Sequence, residues 1–96
     1  GKAMPFTIQQ LAWELSTVLR DHFGEDAMFA GHLGTYMLDL TGGEYEYSLG
    51  EALSIAVSDG IIVPYSLLVN LRAATAEFHS ADDRMIVVDR LNKLMP

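Results

Sequence analysis

The sequence predicts an α+β fold, mostly helical, in which about four helices pack with a two-stranded β-hairpin over residues 35–47. Three observations carry that reading. Apolar residues recur at intervals of three and four along most of the chain, and helix-start signatures stand at Thr7, Ser48 and Ser80. A Gly42–Gly43 pair also separates two segments that alternate apolar and polar residues. Half of the 96 residues are hydrophobic, enough for one modest core, so residues 1–96 read as a single domain. Gly1, Lys2 and Ala3 ahead of Met4 read as a leader remnant, with Met4 as the natural start.

Thr7 and Gln10 have the spacing of a capping box, and Phe6 with Leu11 that of a hydrophobic staple, so the first helix begins directly after Thr7. Ile8, Leu11, Ala12, Leu15, Val18, Leu19 and His22 then gather on one face, with Gln9, Gln10, Glu14, Thr17 and Asp21 opposite. Gly24 ends that helix. Residues 25 to 30 allow one short helical turn, after which Gly31 and Gly34 read as a break.

The hairpin follows. Gly42 and Gly43 supply both positive φ angles of a two-residue turn, which sets Thr41 opposite Glu44, Leu40 opposite Tyr45, Asp39 opposite Glu46 and Leu38 opposite Tyr47. In this register one face is apolar, and the other carries Asp39, Glu44 and Glu46. Ser48 and Glu51 form a second capping box, opening a helix that runs to Asp59 and Gly60. Ile61, Ile62 and Val63 read as a third strand or a buried linker. Pro64 starts a long helix reaching about Phe78, with Leu67, Leu71, Ala74 and Phe78 in one row. Ser80 caps the last helix, whose Asp82 and Asp83 near the start and Arg90 and Lys93 near the end suit the helix dipole. That charge order favours helix over strand for Met85 to Val88.

Charge narrows the function classes. The net charge is −7, and the 51 residues from Asp21 to Leu71 contain no Lys or Arg but eight carboxylates. Such a chain is a poor match for phosphate backbones or anionic lipid, so neither nucleic acid nor membrane is an expected partner. No apolar run approaches a bilayer span and no signal-peptide pattern is present, which makes the cytoplasm the default compartment. With zero cysteines, disulfides and thiolate chemistry are excluded.

Constellations that imply chemistry are weak. Ala56 and Gly60 match two positions of a helix-turn-helix, yet Asp59, Pro64 and the missing basic residues fit it poorly. Gly31, His32, Leu33 and Gly34 spell GxxG without basic neighbours. Neither a phosphate-binding glycine loop nor GxSxG occurs, and no cofactor is indicated. His22, His32 and His79 lack metal-ligand spacing and read as partly buried, hydrogen-bonded residues, so no metal site is expected.

The reading is therefore a small acidic protein-interaction domain, an inhibitor or adaptor of a basic protein partner, and not an enzyme. Its contact residues are Asp39, Glu44 and Glu46, extended by Glu25 and Asp26. The alternatives are a self-associating module without ligand and a small enzyme marked by a pocket holding a His and a carboxylate of shifted pKa. Trp13 lies off the main apolar stripe of the first helix and is the candidate contact of a homodimer.

Overall fold

The computed structural model describes residues 6–96, so the Gly1–Ala3 leader and the Met4 start lie outside the described residues. Thr7 opens α1 (Ile8–Phe23) as its spacing requires: its hydroxyl accepts from the Gln10 amide, and the Gln10 side chain accepts from the Thr7 amide at 2.8 Å. A 3-10 turn (Asp26–Phe29) fills the stretch after Gly24. It is followed by α2 (Gly31–Thr41), α3 (Tyr45–Asp59), α4 (Tyr65–Ala74), a second 3-10 turn (Thr75–Glu77) and α5 (Ala81–Leu94). Among the described residues there is no strand, so the fold is all-α with five helices.

The predicted hairpin over residues 35–47 is therefore wrong, and the Gly-Gly pair shows why. Two glycines between alternating segments satisfy a hairpin turn, but they also satisfy a helix C-terminus. Here the Gly43 amide donates to the Leu40 carbonyl at 3.1 Å and the Glu44 amide to the Asp39 carbonyl at 2.9 Å. This paired 5→2 and 6→1 pattern closes α2 with a left-handed residue after its cap. Only Gly43 takes a positive φ, 86°, whereas Gly42 keeps a helical −78°. The apolar residues obey the helical period: Leu33, Tyr36, Met37 and Leu40 turn inward. A strand would bury Leu38 with Leu40, yet Leu38 is 74% exposed and Leu40 is fully buried.

Other boundaries shift for local reasons. Gly31 and Gly34 do not break the chain: α2 starts at Gly31, and Gly34 lies where a Cβ would sit 3.1 Å from the Phe29 carbonyl carbon. The second expected capping box also fails, because Ser48 is inside α3, buried, with its hydroxyl donating to the Tyr45 carbonyl at 3.0 Å. Residues 61–63 form an irregular link rather than a strand, with Ile61 and Val63 buried and Ile62 exposed. The expected cap at Ser80 holds, its hydroxyl accepting from the Asp83 amide at 3.1 Å.

Packing makes α3 the hub. It lies against α1, α2 and α5, while α4 packs against α1 and α5. Thus α1, α3, α5 and α4 close a four-helix ring around Leu11, Leu15, Leu53, Leu71, Val87 and Leu91, and α2 flanks α3 from outside. Helices α3 and α4, adjacent in sequence, pack against α1 and α5 rather than against each other, which also removes the helix-turn-helix comparison.

Because Gly43, unlike Gly42, needs a left-handed backbone, Gly43→Ala should lower stability by about 1–2 kcal/mol. Urea unfolding measures this, and chemical shifts should report helix on both sides of Gly43. Strand-type shifts over residues 35–40 would contradict the fold.

Candidate functional site

Helices α2 and α5 stand on either side of α3 and leave part of its outer surface uncovered. Two adjoining hollows occupy this surface. One, of about 410 Å³, is lined among others by His32, Tyr47, Glu51, Ser54, Asp83 and Arg90. The other, of about 690 Å³, continues past Leu33, Ile55, Ser58 and Asp59 toward Phe23. His32, Ser54 and Ile55 border both, so the two form one groove along α3.

Glu51 is the chemically unusual group in this groove. Its Oε1 is buried without a hydrogen-bond partner. Burial, then a hydrogen bond shared with Asp39 of α2, then the charge on Asp39, push its carboxyl up to about 7. The proton is thus retained on Glu51 well above the usual carboxylate range. Tyr36, buried one turn before Asp39, has its phenol raised by burial and secondarily by Glu51. Ser54 is committed elsewhere, donating to the Gly50 carbonyl at 2.8 Å and accepting from Arg90 Nε at 3.1 Å. Arg90 also pairs with Asp89, whose carboxyl is lowered by Arg90 first and Lys93 next.

The five expected contact carboxylates do not form one face. Glu25 and Asp26 are exposed at the first 3-10 turn, Asp39 is half-buried beside Glu51, and Glu44 is exposed ahead of α3. Glu46 is a structural latch. Its Oε1 accepts from the His79 and Ser80 amides at 3.0 and 2.9 Å, and its Oε2 lies 3.1 Å from His79 Nδ1. The carboxylate thus satisfies free amides just before α5, where a negative charge also suits the helix dipole. Burial pushes the Glu46 carboxyl up, but the Ser80 and His79 amides and the His79 ring outweigh it and hold it below the usual range. Glu44 and Glu46 do share a shallow hollow with Tyr47, His79 and Asp83.

Trp13 is 40% exposed on α1, as its position off the stripe implies. The expectation of partly buried histidines fails, since His22, His32 and His79 are all exposed. Among the described residues no group of three or more His, Asp or Glu is placed to hold a metal ion. Glu51 and the groove were missed because Glu51 read as a capping residue, and only the pairing of α2 with α3 brings Asp39 to it. No family model, no curated protein and no solved structure matches this chain.

The two carboxylates separate cleanly by mutation. Glu46→Ala should cost about 1–3 kcal/mol, the range for losing charged hydrogen bonds, and speed amide exchange at the start of α5. Glu44→Ala, at an exposed position, should stay within about 0.5 kcal/mol in the same unfolding experiment. Equal effects would show that Glu46 is not a latch.

Stability should also depend on pH with a definite sign. Folded Glu51 keeps its proton to about 7, whereas an unfolded glutamate loses it near 4.5, so the native state binds more protons between those values. Its contribution is therefore largest at the acidic end of that window and is lost as pH rises through about 7. Lowered carboxyls such as Glu46 act oppositely, their contribution disappearing as pH falls below the ordinary carboxylate range. Melting curves from about pH 5 to about pH 8 should show a decline that Glu51→Gln flattens. Superimposable profiles for the two proteins would exclude a proton held on Glu51.

Proposed function

We propose that this chain is a small protein-interaction domain, an inhibitor or adaptor, that docks through carboxylates onto a positively charged protein. The observation that supports this most directly is the one-signed stretch from Asp21 to Leu71, which contains no Lys or Arg. It spans the first 3-10 turn, α2 and α3, and it leaves Glu25, Asp26, Glu44 and Asp59 exposed. A field of one sign speeds encounter with an opposite charge and repels phosphate backbones and anionic lipid. With Glu46 latched to α5 and Asp39 half-buried beside Glu51, the docking carboxylates are redistributed to Glu25, Asp26, Glu44, Asp59 and Asp83.

Zero-length carbodiimide coupling in a lysate of the native host tests this reading, because it joins carboxylates only to amines in contact with them. Coupling of Glu44, Asp59 or Asp83 to lysines of a basic protein is expected, and it should vanish at about 1 M salt, where screening acts within about 3 Å. Coupling that survives that salt, or joins no other protein, would overturn the proposal.

A second reading, a small enzyme, is favoured by one specific observation. The groove places His32 and a carboxyl of about 7 along the same hollow, a value suited to general acid–base work. Against it, the Ser54 hydroxyl is tied to Gly50 and Arg90 rather than to a base. This reading requires turnover that Glu51→Gln abolishes. Self-association is supported by exposed apolar side chains, among them Trp13, Tyr65 and Val69 on α1 and α4 and Phe29, Leu38 and Ile62 elsewhere, and sedimentation as a monomer at high concentration would remove it.

A further inference from the structure

We infer that the groove along α3, between α2 and α5, receives a short amphipathic helix of the basic partner, with lysine or arginine at both of its ends. This inference rests on the docking role proposed above and gives it a place and a shape.

The dimensions suit a helix. The floor runs from Tyr47 to Asp59, about 18 Å at a rise of about 1.5 Å per residue, the length of a little over three turns. Ser54 and Ser58 are four residues apart, so the half of the floor toward Asp59 carries no long side chains. Short side chains there let a second helix approach toward the short end of the usual range, about 8 Å between axes. Apolar side chains rise beside it: Ile55 and Leu33 half-buried, Tyr47 and Ile86 exposed. Ile86 is already seated on the floor, since a Cβ on Gly50 would lie 3.1 Å from its Cγ2.

The charges select the occupant. Asp83 stands at the Tyr47 end, next to the hollow that holds Glu44, and Asp59 stands at the other end. Between these ends Leu33, Ile55 and Ile86 supply apolar wall around the polar Ser54, Glu51 and His32, and the one Lys or Arg there, Arg90, is turned toward Asp89 and Ser54. A complementary helix is therefore positive at both ends and apolar on one stripe between them. A second copy of this chain fits badly, because it brings a charge of −7 to a surface of the same sign.

The test uses a phage-displayed library of helix-forming peptides about 18 residues long, selected against the full chain. Enriched peptides should carry apolar residues at intervals of three and four, with Lys or Arg toward both termini. Their affinity should fall about tenfold or more in Ser54→Leu and in Ser58→Leu, which fill the floor, and also in the double variant Asp59→Lys, Asp83→Lys. Ser58 is exposed, so its variant keeps the test decisive if Ser54→Leu folds poorly. If basic peptides are enriched but bind both leucine variants unchanged, the groove is wrong while the acidic docking role stands. If enriched peptides lack Lys and Arg and ignore salt, the partner's chemistry is wrong. An absence of enrichment overturns the groove, and the coupling experiment then decides the docking role separately.

Discussion

One constraint organises this molecule: α3 must serve three helices at once. Its buried positions are filled by Ser48, Leu49, Gly50, Ala52, Leu53 and Ala56, mostly small residues that let neighbours come close on several sides. With α1, α2 and α5 in place, the side of α3 between α2 and α5 is left open. The groove is thus a by-product of the packing, and the residues that line it were positioned by the core. The raised carboxyl of Glu51 has the same origin, because seating α2 on α3 buries Glu51 and brings Asp39 beside it.

The latch at Glu46 adds a second link. A ring of four helices closes only if α5 returns to α3, and the first turn of α3 holds the start of α5 through one carboxylate on two amides. Local helix signals cannot supply such a contact, since it joins residues more than thirty positions apart. It also explains why a carboxylate expected to serve a partner is occupied.

Legibility in the sequence followed the caps. Where a side chain caps, at Thr7 and at Ser80, the helix start was readable to the residue. At Ala30 and Glu44, which precede α2 and α3 without a capping hydrogen bond, both starts were misplaced, whereas Pro64 marked the start of α4 through its fixed φ alone. The gap at the start of α2 let Gly31 and Gly34 pass for a break. Segments as short as Leu38–Leu40 and Tyr45–Tyr47 hold too few residues to separate period two from the helical period, and the Gly-Gly pair then tips the choice toward a turn between strands. Of the candidate site, the sign of the charge was readable because it needs no geometry. The groove was not, because His32, Glu51, Ser54 and Asp83 come from three helices whose adjacency only packing decides.

Acidic surface and open helix face together describe a domain whose core is complete but whose hub is not fully covered. Amide chemical-shift mapping tests this most directly, with the isotope-labelled full chain titrated with a synthetic amphipathic helix bearing lysine at both ends. Docking in the groove predicts shifts confined to His32, the stretch from Gly50 to Asp59 and the neighbourhood of Ile86, with α1 and α4 unmoved. Shifts centred on Trp13 and Val69, or none at millimolar peptide, would contradict it.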